Sequence, residues 1–382
     1  MDGATSALSA ERPAARFFLI DLLKAAGCLL IVLHHLAFYG PMADVVATRW
    51  PLPIEMFSEH GRLAVQIFLV CSGFLTACVL QGKQITSWHV VWRGIGRRYL
   101  RLSVPLLAAL ALTVLISEFI RPIFAHDSLS PTPTWKQVLA HLFFLQHLLD
   151  IEALSAGVWY VAVDMQLYAS ALLAVWGAQQ FQRRGLGPAV LWEGLFVLVM
   201  VVMSLTLWTH REVLDDTALY FWGAYGMGWL ASYTRQWRRA ALRCLPWLLL
   251  ALLCLVFDAR GRALTAWSAA CLLGLWSPGW LRPGTVLEGW QLHAIQWLSR
   301  VSYSVFVVHF GVCLLVSALI QDRWPDSMAM NAMGMVLAMA CSLLMGDLLH
   351  RLTERGTTTG WRWAAWASTL LASAGLAMLV QG

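Results

Sequence analysis

The first strongly apolar segment of the chain carries ionisable residues that can do chemistry. It reads FFLIDLLKAAGCLLIVLHHLAFYG and contains Asp21, Lys24, His34 and His35. Ionisable groups are costly inside a membrane helix, so each of them is a candidate functional residue. Lys24 and His35 are eleven positions apart. In a helix this spacing is three turns plus roughly 20°, which puts both residues on one face, about 16 Å apart along the axis.

Histidine suits proton transfer because its ordinary pKa lies near physiological pH, and we therefore expect His35 to be a general base. Asp21 lies three residues before Lys24 and can pair with it, which lowers the cost of both charges. His34 points about 100° away from His35 on the helix, and a structural role is expected for it.

Four later segments place polar residues within or beside apolar runs. They are RLAVQIFLVCSGFL with Ser72, GRRYLRLSVP with Arg98 and Arg101, VWYVAVDMQLY with Asp164, Gln166 and Tyr168, and RVSYSVFVVHF with Ser304 and His309. Each has a structural alternative. Ser72 beside Gly73 is also typical of close helix packing. The arginine pair can grip phosphates, or can simply mark the cytoplasmic side of the membrane. Asp164 needs a cationic or histidine partner from another helix. His309 is either a site residue or a hydrogen-bond donor that joins two packed helices.

The composition indicates which kind of protein positions these residues. Of 382 residues, 59% are hydrophobic and only 13% are charged, about half the charge of a typical soluble domain. This excludes a disordered chain, a disulfide-rich secreted module and a soluble two-domain enzyme. The eight cysteines form no CxxC pair, so we predict no metal site and no redox site. No nucleic-acid-binding motif is present, and no nucleic-acid partner is expected.

Apolar stretches of about 20 residues predict membrane-spanning helices. The predicted spans lie near 17–39, 62–81, 100–120, 157–177, 188–208, 217–233, 243–258, 262–280, 298–320, 328–350 and 361–381. Segment 135–150 is short and rich in histidine, and we interpret it as an amphipathic or re-entrant helix. The sequence thus predicts an all-α polytopic membrane protein, a bundle of about 10–11 transmembrane helices.

Alternate loops differ in charge, which predicts the orientation of the chain. One set is basic, as in the loop with Lys83 and Arg93, whereas the other is mixed or acidic, as in the loop with Asp215 and Asp216. By the positive-inside rule the basic set and the amino terminus are cytoplasmic. Only the loop with Asp258, Arg260 and Arg262 fits this pattern poorly. We predict a cytoplasmic tail at 1–16, a retained signal anchor, and a single transmembrane domain at 17–382 without a separate soluble domain.

In their order along the chain, these segments resemble the motifs of the membrane-bound acyltransferase-3 family from about Phe18 to Glu354. Asp21, Lys24 and His35 resemble its D-G-L-R-A start and the histidine eleven residues after the basic residue, with lysine in place of arginine. FLVCSGFL resembles F-F-x-x-S-G-F, and RRYLRLSVP resembles R-x-x-R-I-x-P. WYVAVDMQLY resembles W-x-L-x-x-E-x-x-F-Y, with Asp164 in place of glutamate. VSYSVFVVHF resembles I-S-Y-S-x-Y-L-x-H, and LTERGTT resembles I-E-K-P without its proline.

The resemblance implies transfer of an acyl group, most often acetyl, from cytoplasmic acyl-CoA to a hydroxyl of an extracytoplasmic glycan or small molecule. Acetyl-CoA is then a co-substrate, and no permanently bound cofactor is implied. It also implies a multi-pass protein of the bacterial inner membrane, in contact with the lipid bilayer, which transfers the group alone or with a separate extracytoplasmic partner protein.

The resemblance also implies roles for individual residues. His35 is the general base or a transient carrier of the acyl group. Arg98 and Arg101 hold the phosphates of CoA, with Lys24 beside them or guiding the donor. Asp164 orients the imidazole or balances charge. Further residues are possible lining residues of the pocket: Asp21, Ser72, Gln166, Tyr168, Ser304 and His309.

Two other interpretations of the sequence stay open. A transporter or flippase for a glycan or a lipid-linked sugar would use buried ionisable residues as a proton relay. An inactive relative that serves as a membrane scaffold would keep its biological role without His35.

Overall fold

The computed structural model describes residues 12–237, 239–258, 260–275 and 289–381, with side chains from residue 18 onward except that of residue 240. Within these ranges the chain is helical, with turns and short 3₁₀ segments and no strand. The α-helices are α1 Arg12–Tyr39, α2 Pro41–Ala47, α3 Pro51–His60, α4 Ala64–Leu80, α5 Trp88–Ile120, α6 Trp135–Leu142, α7 Trp159–Arg183, α8 Ala189–Thr206, α9 Ala218–Thr234, α10 Ala240–Phe257, α11 Gly261–Leu275, α12 Gly289–Arg323, α13 Met328–Thr353 and α14 Gly360–Gln381.

The predicted all-α polytopic class is confirmed. In the part of the chain that the structure describes, eight helical segments are long and apolar enough to cross a membrane. Lipid offers no hydrogen-bonding partners to the backbone, whereas a helix pairs its own N–H and carbonyl groups. Apolar runs of this length therefore fold as helices. Three further predicted spans coincide with the shorter helices α9, α10 and α11. The end of the predicted span 262–280, most of the predicted tail 1–16, and the loop with Arg282 and Glu288 lie outside the described residues.

Two helices begin earlier than hydropathy predicts. Helix α5 begins at Trp88 instead of residue 100, and α12 begins at Gly289 instead of 298. Hydropathy marks the part of a helix that lies in hydrocarbon, whereas a polar helical extension leaves no such signal. As a result Arg98 and Arg101 lie inside α5, about three turns from its first residue.

Segment 135–150 is helical only in its first half. Helix α6 covers Trp135–Leu142 and begins with a capping box in which Thr134 and Gln137 bond each other's backbone N–H groups. Turns follow, and Phe144 and Asp150 adopt positive φ angles of 59° and 51°. Such angles end a helix, so the predicted single helix to residue 150 is wrong in its second half.

The chain divides into two compact units, each assembled from segments distant in sequence. The first unit comprises residues 1–27, 63–91 and 166–300, and the second comprises residues 28–62, 92–165 and 301–382. In the first unit α4 packs closely on α9. A Cβ at Gly73 would strike the Tyr225 carbonyl, and one at Gly228 would strike the Val70 carbonyl. Gly73 therefore serves close helix packing, as its small size indicates.

In the second unit α12 packs against α5 and α13. A Cβ added at Gly311 would lie 2.8 Å from Oγ1 of Thr113 on α5. A Cβ at Gly346 of α13 would likewise collide with Val305 of α12. These close approaches fix the rotation of α12, and with it the direction in which its polar side chains point.

The loop that fits the charge pattern poorly has its arginines paired locally. Arg260 lies 2.5 Å from the carboxylate of Asp258, and Arg262 donates to the Tyr220 hydroxyl at 2.6 Å. The orientation predicted from the loop charges stays a prediction, and this loop remains its exception.

Candidate functional site

Two histidines from distant parts of the chain meet inside the second unit. His35 on α1 and His309 on α12 are hydrogen-bonded through Nδ1 of His35 and Nε2 of His309. Their rings stack with centroids 4.7 Å apart and an angle of 9° between the planes. His35 is 7% exposed and His309 is fully buried. The structure thus brings together two residues that the sequence named separately.

Backbone and aromatic neighbours hold this pair in place. Nδ1 of His309 lies 2.8 Å from the Phe306 carbonyl and 3.1 Å from the Val305 carbonyl, both in the preceding turn of α12. Tyr39 lies on one side of His35, with ring centroids 5.4 Å apart. The imidazole of His35 is therefore confined on several sides.

A glycine completes the surroundings of His35. Gly157 has a φ of +82°, and a Cβ added there would lie 3.4 Å from Cε1 of His35. This left-handed backbone favours glycine, and the missing side chain leaves room beside the imidazole. No sequence signal singled out Gly157, since an isolated glycine in a loop is common.

His34 has a different environment from its neighbour. Its Nδ1 lies 3.2 Å from the Phe57 carbonyl, and Gly61 packs directly against its Cβ. These contacts fit the structural role expected from its position on the helix.

Arg98 and Asp164 form an ion pair between α5 and α7. An Nη of Arg98 lies 2.5 Å from a carboxylate oxygen of Asp164, and the two side chains are 21% and 3% exposed. A buried carboxylate requires such a partner, as the sequence predicted for Asp164. Of the two roles expected for Asp164, the pair fits charge balance, while the imidazole of His35 has His309 as its hydrogen-bonding partner. Arg101, one turn further along α5, is exposed.

Ser304 belongs to a second polar cluster in the same unit. Its hydroxyl donates to a carboxylate oxygen of Glu354 at 2.5 Å, and Nδ1 of His350 lies 3.2 Å from that oxygen. The neighbouring Tyr303 donates to the Leu102 carbonyl at 2.6 Å. Sequence reasoning missed His350, although its position four residues before Glu354 on one helix was a usable signal.

The remaining predicted site residues lie in the first unit. Asp21 accepts a hydrogen bond from Ser299 at 2.6 Å, and Gln166 accepts one from the backbone N–H of Ala218 at 3.1 Å. Gln166 therefore caps the beginning of α9. Lys24, Ser72 and Tyr168 are half-buried.

Comparison with known proteins gives the family. The family model described as an acyltransferase domain (Acyl_transf_3) matches residues 18–351, nearly the whole chain. The chain belongs to the acyltransferase-3 family. A curated relative, Regulator of hypoxia-inducible factor 1 from Caenorhabditis elegans, is 25% identical over 183 residues, which are 45% of this chain and 36% of that protein. The chain thus spans about a third of the length of that relative. No solved structure matches this chain.

The chain is therefore a multi-pass membrane protein of the acyltransferase-3 family. Its candidate site residues fall into two sets according to the unit that holds them. The second unit holds His35, Arg98, Arg101, Asp164, Ser304 and His309, and the first holds Asp21, Lys24, Ser72, Gln166 and Tyr168. His35, His309 and the Arg98–Asp164 pair all belong to the second unit.

Proposed function

We propose that this acyltransferase moves an acyl group, with acetyl as the first candidate, from cytoplasmic acyl-CoA to a hydroxyl of an extracytoplasmic glycan or related envelope acceptor. The observation that carries the proposal is the buried pair of imidazoles, His35 and His309, within a membrane protein of an acyltransferase family. A buried imidazole that is itself hydrogen-bonded is a suitable general base for a hydroxyl group.

In the proposed reaction the acceptor oxygen attacks the thioester carbonyl carbon of acyl-CoA. A carbon–oxygen bond forms and the carbon–sulfur bond breaks, while the hydroxyl proton passes to His35. The departing CoA thiolate takes up that proton, which returns the imidazole to its neutral form. In a second route the imidazole of His35 attacks the thioester first, so that a carbon–nitrogen bond forms, the carbon–sulfur bond breaks and the CoA thiolate leaves. The acceptor oxygen then displaces the imidazole from the acyl carbon, and the hydroxyl proton passes to the thiolate.

The phosphates of CoA provide the second part of the proposal. The fork-shaped guanidinium groups of Arg98 and Arg101 match phosphate oxygens. Asp164 neutralises and orients Arg98 from the buried side, and the exposed Arg101 is accessible to a donor. Lys24 is proposed as a further positive group for the donor on the strength of the family motif alone.

The remaining features of the proposal follow the charge pattern and the family. The amino terminus and the basic loops face the cytoplasm, and the membrane is the bacterial inner membrane. We propose that the chain transfers the acyl group to the acceptor either alone or with a separate extracytoplasmic partner protein.

Acetyl-CoA labelled with carbon-14 in its acetyl group tests the proposal directly. Membranes from cells that express the full chain supply the unidentified acceptor, and two signals are followed, release of CoA thiol and incorporation of label into envelope material. His35→Gln removes the proposed base, whereas His34→Gln removes the adjacent imidazole and serves as the matched control. We expect at least about a hundredfold loss for His35→Gln and little change for His34→Gln.

Two results would contradict the proposal. Equal incorporation of label in wild type and His35→Gln would remove His35 from the reaction. Absence of both CoA release and incorporation in wild-type membranes, together with movement of a glycan across them, would instead favour a transporter that uses the histidines as a proton relay.

A further inference from the structure

The hydrogen bonds of His309 determine which of its nitrogens carries a proton. Nδ1 of His309 faces the carbonyl oxygens of Val305 and Phe306, which only accept hydrogen bonds. Nδ1 must therefore bear the N–H group. A neutral imidazole has a single N–H, so Nε2 of His309 carries a lone pair and can act only as an acceptor.

The same reasoning extends to His35. Its Nδ1 is hydrogen-bonded to Nε2 of His309, and because that atom is an acceptor, Nδ1 of His35 must donate. In neutral His35 the lone pair then lies on Nε2. The chain of hydrogen bonds runs from His35 through His309 to two backbone carbonyls, and it selects one tautomer of the residue proposed as the base.

This arrangement also stabilises the charge that forms during the reaction. When Nε2 of His35 accepts a proton, the bond from its Nδ1 to His309 becomes charge-assisted and therefore stronger. In serine proteases a buried carboxylate does this for a histidine. Here a neutral histidine anchored to the carbonyls of Val305 and Phe306 does so without placing a second charge in the membrane.

We propose that His309 is a positioning residue that holds His35 in the tautomer with its lone pair on Nε2, the atom that receives the hydroxyl proton. This inference rests on the function proposed for His35 and adds which nitrogen reacts and what fixes it. The His309–carbonyl contacts lie within one helix, so α12 presents the acceptor nitrogen in a fixed direction.

Two variants separate this role from simple packing. His309→Gln keeps an oxygen that can accept from His35 and an amide N–H that can donate to the carbonyls. His309→Leu is of similar size but offers neither group. In membranes with acetyl-CoA as the donor, we expect His309→Leu to lower kcat about a hundredfold with KM for acetyl-CoA within about twofold, and His309→Gln to stay within about tenfold of wild type.

A measurement that needs no acceptor examines the tautomer itself. The full chain is labelled with nitrogen-15 in its histidines and placed in lipid nanodiscs, and the His35 signals are assigned by their absence in His35→Gln. We expect a protonated Nδ1 and an unprotonated Nε2 for His35 in wild type and in His309→Gln. In His309→Leu we expect loss of this preference.

The outcomes distinguish this inference from the proposed function. A protonated Nε2 on His35 in wild type would overturn the inference even if no His309 variant folds. Unchanged kcat in His309→Leu would also overturn it, and if His35→Gln is inactive at the same time, the function proposed for His35 stands. Full activity of His35→Gln would overturn both.

Discussion

Arg98 and Asp164 form an ion pair that joins α5 to α7, and Asp164 is the more deeply buried partner. Removing one partner of such a pair leaves the other charge without compensation, which costs about 3–5 kcal/mol in fully buried cases. Arg98 is 21% exposed, so a value toward or below the lower end is expected. Each partner is therefore expected to be needed while the other is present, and Arg98 is proposed in addition to contact the donor.

A double-mutant cycle separates these two roles. We expect Arg98→Ala and Asp164→Ala each to lower the thermal stability of the protein in nanodiscs. The double variant Arg98→Ala/Asp164→Ala should lower it by less than the sum of the two single effects, because neither charge is then left without its partner. We also expect KM for acetyl-CoA to rise in the double variant. Arg121→Ala breaks the ion pair at 2.7 Å between Glu118, near the end of α5, and Arg121, the residue after that helix, and is the control, with no change in KM expected. A double variant with the KM of wild type would assign Arg98 to stability alone.

Arg101 gives a prediction about donor recognition without an effect on stability. It is exposed, so Arg101→Gln is expected to leave unfolding nearly unchanged and to raise KM for acetyl-CoA about tenfold. Arg101→Lys keeps the charge but loses the fork-shaped geometry. Its KM for acetyl-CoA should therefore lie between those of wild type and Arg101→Gln. The control Arg184→Gln removes another exposed basic residue of the predicted cytoplasmic side. Equal effects of the changes at 101 and 184 would show that these arginines act only through membrane orientation.

A substitution at Gly157 tests how narrow the space beside His35 is. Gly157→Ala would place a Cβ 3.4 Å from Cε1 of His35, on a backbone with a φ of +82°. We expect kcat to fall about tenfold or more, because the added methyl group would occupy the space beside the imidazole and hinder the correct placement of the acceptor. Gly185→Ala imposes the same backbone penalty, with a φ of +76°, where no atom lies within 4 Å of the added Cβ. A similar loss of kcat in both variants would assign the effect to the backbone instead of the imidazole.

His141 predicts a pH-dependent stability for the segment that contains α6. Burial lowers the pKa of His141 to about 4 from 6.5, although its bond to the Gln137 carbonyl opposes this shift. Its other nitrogen accepts from the backbone N–H of Leu154 at 3.2 Å, which requires the neutral ring. When the segment opens, His141 regains its ordinary pKa and binds a proton below pH 6.5. The contribution of neutral His141 to the free energy of opening this segment is therefore fully present above about pH 6.5, and it is lost as the pH decreases toward 4.

Hydrogen exchange of residues 135–158, corrected for the intrinsic effect of pH, measures this stability. We expect faster exchange at pH 5 than at pH 7 in wild type and little difference in His141→Gln, since the amide can replace both hydrogen bonds. His147→Gln removes a half-buried histidine whose charge contributes to lowering the pKa of His141, so it should reduce the pH difference only in part. The same pH dependence in His141→Gln and wild type would show that another group is responsible.

Much of the fold and part of the site could be predicted from the sequence. The helical class and the positions of the apolar spans follow from composition, because lipid leaves backbone groups no partner outside their own helix. The order of the motifs around His35, Arg98 and Asp164 was sufficient to indicate the family that the profile match then showed. Each of these signals lies in a short stretch of sequence, either a hydropathy window or a motif of about ten residues, and can be found without knowing which helices pack together.

Only the tertiary structure decided which of these residues meet. His35 and His309 are 274 positions apart, and Arg98 and Asp164 are 66 apart. The apolar helices that carry them have no strong polar face to show which side points inward, because lipid and protein interior are equally apolar. Close approaches of glycines such as Gly311 and Gly346 set the rotation of α12, and that rotation turns His309 toward His35. Hydropathy identifies the helices of such a protein, and the packing between them selects the partner of each polar residue.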